Sequence, residues 1–209
     1  MEWARQEEKA PRGWPAALVM FHFGMWRERM RARLTDLAEG RTPAPPPANV
    51  DEVNDAELAN GIGTPLADAA ARSDHLLGEI IELYGKVGHR PMEWYRWNTT
   101  TEAVIGNSYM HPRIHLSEYL RENGNLERAN RLFEEAVNDL AFLKGVPQVH
   151  GTVVYNLACA RASQGRHDES LAALQLAFSL RPELKDWAPK DGDLRSLWDD
   201  AGFKRLVEA

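Results

Sequence analysis

The stretch NSYMHPRIHLSEYL, residues 107–120, holds two histidines four positions apart, with a proline directly after the first. Positions four apart on a helix lie one above the other on one face, so a helix here pairs the imidazoles of His111 and His115. Such a pair is a common grip on a metal ion. Pro112 opposes a helix, because proline in a helix interior removes a backbone donor and bends the axis. The apolar pattern of AVIGNSY, residues 103–109, continues up to it. That favours a helix from about Thr100 to Glu122 that tolerates the proline, with a slight kink opening it towards a cation; the alternative is that Pro112 sits near an irregular helix start.

Upstream, GWPAALVMFHFGMWRERMRARLTDLAEG, residues 13–40, repeats apolar side chains at helical spacing through Trp14, Leu18, Phe21, Met25, Leu34 and Leu37. Gly40 and the proline-rich RTPAPPPANV end it. A further helix starts at Thr64-Pro65, a cap followed by proline in the first turn. Its inward stripe is Leu66, Ala70, Ser73, Leu77, Ile80 and Tyr84. HRPMEWYRWNTT, residues 89–100, reads as a tryptophan-rich loop. No period-two alternation of useful length appears, so the expected fold class is all-α.

The bulk numbers restrict function. With 209 residues, 44% hydrophobic and 27% charged, the chain is ordinary for a globular protein with one sizeable domain or two small ones. A net charge of −6 without a basic groove argues against nucleic acid and against an anionic membrane surface. One cysteine allows neither an internal disulfide nor a cysteine-based zinc framework. No run has the apolar length of a signal peptide or a membrane span, and a cytoplasmic location is the simplest expectation.

From Gly124 onward the chain repeats itself. GNLERANRLFEEA and GRHDESLAALQLA align without a gap, setting Gly124 on Gly165, Ala129 on Ser170, Phe133 on Leu174 and Ala136 on Ala177. Small residues that admit a neighbouring helix, with a large one between, are how stacked helical hairpins bury a core. YNLACARASQGRHDESLAALQLAFSLRPEL resembles a tetratricopeptide (TPR) repeat through Leu157, Ala158, Ser170, Leu174, Ala177 and Pro182. Ala158 stands where that family usually has glycine, and Ser170 where it has alanine. The ending DGDLRSLWDDAGFKRLVEA is similar to the closing helices after such repeats, with Leu194, Leu197, Phe203 and Leu206 packed. The expected domains are a helical bundle over 1–123 and a TPR-like region over 124–209.

Of seven histidines, His150 and His167 read as surface or capping residues, and His75 and His89 as structural, with a spare ligand as the alternative for either. His22 lies between Leu18 and Met25 or Trp26 on the first helix, so it should border the core. Three imidazoles from two helices leave a coordination position open, as in a catalytic metal site. Spacing alone leaves a metal site and a set of structural histidines both open. Pro112 stands where HExxH has its glutamate, which disfavours a metalloprotease. Glu118 is the nearest carboxylate that could orient a histidine or act as a base, with a solvated surface residue as the plainer alternative. Cys159, in the packed NLACA segment, reads as a small core residue.

Taken together, WPAALVMFHFGMWRERM, then VDEVN after a proline-rich turn, then NSYMHPRIH, resembles the DinB superfamily over about residues 11–123, with the ClbS/DfsB-like proteins as the closest branch. The resemblance implies a four-helix bundle with one histidine on an early helix and an HxxxH pair on the last, positions that His22, His111 and His115 match. It implies a divalent metal, zinc or nickel, and a metal-dependent hydrolase or thiol transferase acting on a small reactive molecule or using a small thiol, in detoxification or self-protection. The pocket walls would come from Trp26, Trp94, Trp97, Asn107 and Tyr109, aromatics suited to a small, partly apolar ligand. One departure is that only MEWARQEEKAPRG precedes the first histidine-bearing helix, where the family has a full helix. The early N-terminus, the segment LERANRLFEEAVNDLAFL or a second subunit in a homodimer would have to supply the fourth wall. The alternative is a non-enzymatic protein that sequesters a molecule, or binds a protein segment through the TPR-like surface.

Overall fold

The computed structural model describes residues 13–208, and the N-terminal segment considered for the fourth wall lies outside them up to Arg12. The chain divides into two compact units, Met1–Asn125 and Leu126–Ala209. Among the described residues the structure is all-helical apart from one small hairpin.

In the first unit, α1 (Ala16–Ala38) is the central element. It buries Ala17, Val19, Phe23, Met25, Trp26, Met30 and Leu34 around much of its circumference, which marks a helix surrounded by others rather than one lying on a surface. Leu18, Phe21 and Leu37, expected in its stripe, are only half-buried. A short α2 (Val50–Leu58), not foreseen from sequence as a helix, follows the proline-rich strap. Asn49 caps it by accepting from the backbone N–H of Asp51 and Glu52, whose acidic side chains also suit the first turn. Gly61, in the short 3₁₀ turn after α2, leaves no room for a side chain, because the ring of Phe21 occupies that space.

Next comes α3 (Leu66–Val87), which packs along α1. Its buried set is Ala69, Ser73, Leu76, Ile80 and Val87. The expected stripe is therefore rotated: Ser73 and Ile80 belong to it, while Leu77 and Tyr84 sit at its margin. The tryptophan-rich segment is not a loop. It forms an antiparallel hairpin of β1 (Pro91–Trp94) and β2 (Trp97–Thr99), with Trp94 paired to Trp97 and a two-residue turn between. Tyr95 takes a φ of 50° there, the positive value a tight hairpin turn demands. Three- and four-residue strands are too short to leave an alternating pattern in the sequence.

From Thr99, whose hydroxyl accepts from the Glu102 N–H, the chain runs through α4 (Thr100–Ile105), a π-helical turn (Gly106–Met110) and α5 (His111–Glu122). Helical backbone continues through Pro112, which stands in the first turn of α5 directly after an irregular π turn. The π turn immediately ahead adds a residue to the ladder, with the His111 N–H donating to the Gly106 carbonyl five residues back. Pro112 has no N–H to offer the carbonyl of Ser108, and the buried guanidinium of Arg27 donates to it instead, at 3.3 Å.

The second unit contains α6 (Leu126–Leu140), α7 (Pro147–Ser163) and α8 (His167–Leu180), followed by α9 (Leu184–Trp187), two 3₁₀ turns and α10 (Ala201–Glu208). Ala129, Phe133 and Ala136 of α6 are buried, as are Leu157 and Ala158 of α7, and Ser170, Leu174 and Ala177 of α8. Leu194, Leu197 and Phe203 share one core with Ala158, Leu174 and Ala177, and Leu206 is partly buried against it. The two residues that depart from the TPR pattern meet: the Ser170 hydroxyl donates to the Ala158 carbonyl at 2.7 Å. His150 acts as a cap, its Nε2 bonding the Leu140 carbonyl at 2.7 Å. No described helix is long and apolar enough to cross a membrane.

Candidate metal centre

The three imidazoles converge. Nε2 of His22, from α1, lies 3.0 Å from Nε2 of His111, and Nε2 of His115 lies 3.0 Å from the same atom. Local structure brings this about. His111 and His115 share a face of α5 one turn apart, and the π turn sets the rotational phase of that face. His22 is 1% exposed on the all-round buried helix α1.

Protons alone cannot satisfy this arrangement. A neutral imidazole nitrogen is either a donor of one hydrogen or an acceptor with one in-plane lone pair. His111 Nε2 therefore cannot bond well to both neighbours at once. Three lone pairs directed at a shared cation satisfy all three nitrogens. Imidazoles bound at 2.0–2.1 Å in tetrahedral geometry stand about 3.3 Å apart, within a few tenths of the separations here. Buried His22 Nδ1 has no hydrogen-bond partner among the described residues, a cost the fold carries to keep this ring in place. The donor set fits a divalent ion of the borderline class, and these residues are positioned to hold one.

Electrostatics point the same way. Burial, and then the neighbouring His115, pushes the His22 pKa down to about 3. His111 is held well below its usual range by burial, by the other two histidines and by Arg27. Both rings are neutral near pH 7, the state a metal requires. His115 Nδ1 lies 2.8 Å from Glu118 Oε2, which fixes the proton on Nδ1 and directs the Nε2 lone pair at the triad.

Aromatic rings enclose the group. Trp14 stacks on His115 with centroids 5.8 Å apart and 18° between planes, and meets His22 edge-on at 5.2 Å. Phe23 lies 6.1 Å from His111, and Trp26 stands 6.3 Å from both His22 and His111. Trp26 is anchored by its Nε1–H to Asn54 of α2 at 3.1 Å. Arg27 donates to the carbonyl and hydroxyl of Ser73 at 2.9 and 2.7 Å, so it ties α3, α1 and the π turn together beneath the histidines.

The residues expected to form pocket walls are distributed differently. Trp26 borders the triad. Asn107 is buried and donates to the Trp26 carbonyl at 3.1 Å, which makes it a brace between the π turn and α1. Trp97 packs against the bare Cα of Gly106, and Trp94 lies under the Arg33 guanidinium at 5.5 Å. Tyr109 stacks with Arg113 at 3.4 Å. The hairpin residue that reaches Trp26 is Tyr95, at 6.1 Å, which the sequence did not single out. A cleft of about 200 Å³ opens beside His115, lined by Gly13, Trp14, Val19, Glu118, Tyr119 and Glu122.

A second group of ligating side chains, Cys159, Asp191 and Asp193, gathers in the other unit. There the Asp191 carboxylate is already occupied. It accepts from the Tyr155 hydroxyl at 2.9 Å and caps the Asp193 N–H at 3.0 Å. Burial first, and then the adjacent acidic groups, raises the Tyr155 pKa and keeps the phenol protonated as a donor.

The chain matches no family model, and it matches none of the curated proteins or solved structures compared with it.

Proposed function

We propose that the protein is a metal-dependent enzyme of the DinB-like kind, acting on a small electrophile with water or a low-molecular-weight thiol as nucleophile. The observation that carries this reading is the pair of 3.0 Å Nε2–Nε2 separations centred on His111, which a cation resolves and protons do not. His22, His111 and His115 would hold the ion, zinc or nickel for an all-imidazole set. Three protein ligands leave a position for a reactant. A divalent cation there supplies Lewis acidity and lowers the pKa of a bound water or thiol towards neutrality.

The chain's own groups do the rest. Glu118 holds the proton on His115 Nδ1 and keeps that ring oriented. Trp14, Phe23 and Trp26 exclude water around the histidines and lower the local dielectric, which strengthens each charge interaction inside. The cleft beside His115 admits the small substrate.

The test is metal content after purification without added metal, followed by titration with zinc and nickel. Close to one equivalent per chain is expected, with His111→Ala losing it while the far-ultraviolet circular dichroism stays helical. Wild-type protein that arrives empty and takes up neither ion overturns the proposal. A second reading, a binding protein that uses the repeat-like unit, draws on one observation. An apolar cleft of about 330 Å³ lies among Val137, Leu140, Val153, Val154, Leu176 and Leu180. The empty, metal-refusing outcome favours it.

A further inference from the structure

We infer that α2 is a hinged lid, latched onto the Trp26 indole, whose opening uncovers the His22 and His111 side of the triad. The inference rests on the metal-centre reading only for what the opening serves; the lid itself follows from packing. None of residues 41–60 is buried, whereas α1, α3 and the hairpin all contribute to the core. A nine-residue helix is marginal in isolation and takes its stability from a packed face. Here that face is thin: Val50, Asp51, Glu52 and Asp55 are exposed, and Val53, Asn54 and Leu58 are only half-buried.

Two fixed points bound the segment. At one end the buried Arg33 guanidinium donates to the Ala44 carbonyl of the strap, and to the Glu93 carbonyl of the hairpin at 2.6 Å. At the other end Gly61 is buried against the Phe21 ring, too close for any side chain. The proline-rich strap between them is extended, a backbone form with no internal hydrogen bonds to break. A cleft of about 180 Å³ lies beneath it, bordered by Arg29, Asp36, Pro43, Pro47 and Trp94. A stretch held at both ends and loosely packed between them opens locally, at far lower cost than unfolding the unit.

The latch is specific. Asn54 Oδ1 accepts from the Trp26 Nε1–H at 3.1 Å, and Glu57 pairs with Arg29. Both contacts converge on one ring, because the Arg29 guanidinium lies over Trp26 at 5.3 Å. The same indole meets His22 and His111 at 6.3 Å. Releasing α2 frees the indole nitrogen and lets the ring swing off the two histidines.

Hydrogen exchange read by mass spectrometry on the full-length protein, as purified and after chelation, tests the lid. Amides of residues 50–60 should exchange as one unit, with protection at least about a hundredfold below that of α1 and α3. Asn54→Ala and Glu57→Gln should each lower it about fivefold further, the loss of one contact, and leave α1 and α3 unchanged. Labelling of the chelated protein with diethyl pyrocarbonate then reads access. His22, 1% exposed, should be modified about fivefold faster in Asn54→Ala than in wild type, with exposed His75 labelled equally in both. Protection of α2 equal to that of α1, variants that loosen the whole unit together, or His22 labelling that Asn54→Ala leaves unchanged overturns the inference. Zinc stoichiometry on the same samples separates the two readings. Bound zinc with unchanged His22 labelling sinks the lid alone. Faster His22 labelling in protein that refuses zinc supports the lid and sinks the metal centre.

Discussion

Each unit gathers three side chains able to ligate a metal, and the two groups differ in what the protein has already done with them. Around Asp191, both carboxylate oxygens have a protein donor: the Tyr155 hydroxyl on one and the Asp193 backbone N–H on the other. That cluster is complete as a piece of structure, joining α7 to the 3₁₀ turn at Gly192–Leu197. Around His111 the reverse holds. Three nitrogens press on one point with too few protons among them, and a fourth, His22 Nδ1, is buried without a partner among the described residues. Proximity of ligating atoms is common to both; unmet bonding capacity is found only in the first. That unmet capacity separates a site from a structural cluster.

The sharpest way to break the comparison is to truncate one member of each group. His111→Ala should abolish stoichiometric metal uptake, whereas Asp191→Ala should leave it untouched and cost about 1 kcal/mol in denaturant melts, the loss of a cap. Metal retained in the first variant, or lost in the second, would invert the assignment.

Acid gives the next largest effect. His22 is held at about 3 in the folded metal-free protein, against 6.5 for an unstructured histidine. Its folded pKa is depressed, so its stabilising contribution is present above about pH 6.5 and is lost as pH falls towards 3. Between pH 7 and pH 4 the metal-free protein should lose about 3 kcal/mol from this group alone. A flat urea-unfolding free energy over that range would show that His22 is not buried as a neutral ring.

Arg27→Met should follow, destabilising by about 2 kcal/mol because it removes the donor to the Ser108 carbonyl and to the buried Ser73 hydroxyl. It should weaken metal binding as well, since the π turn that presents His111 loses its tether. Unchanged metal affinity in a folded Arg27→Met variant would show that Pro112 and Asn107 hold that turn unaided. The smallest effect is expected from Glu118→Gln, which keeps the shape but weakens orientation of His115. Metal affinity should drop about tenfold to a hundredfold, read by chelator competition, with the melt unchanged.

Much of this was legible in the sequence, and the misses have physical causes. Histidines four apart, and a third bordering a buried stripe, are features of spacing, and spacing survives without coordinates. The repeat was readable for the same reason, since Ala129, Phe133 and Ala136 recur in register as Ser170, Leu174 and Ala177. The stripe of α3 was set about one residue out of phase, because Leu66, Leu77 and Tyr84 drew the eye to the margin while small Ala69 and Ser73 do the close packing against α1. The hairpin was hidden by strand length and by a turn built on Tyr95 rather than on glycine. Asn107 was expected in a pocket wall, and its amide braces the Trp26 carbonyl while the residue is buried at 5% exposure, a backbone contact that no local pattern shows. Trp14 was read as part of a helical stripe, yet it precedes α1 and stacks on His115, a long-range contact that no local pattern encodes.

The surplus residue in the Gly106–Met110 turn has a consequence for how such a site could arise or disappear. An α-helix advances about 100° per residue, so one residue more or less spins everything downstream by that angle. Removing a single amino acid there would leave a helix just as long and just as greasy, with its two imidazoles swung towards a neighbouring face. A protein of this kind can thus gain or forfeit the convergence of its three imidazoles by a one-codon insertion or deletion, with no histidine ever mutated.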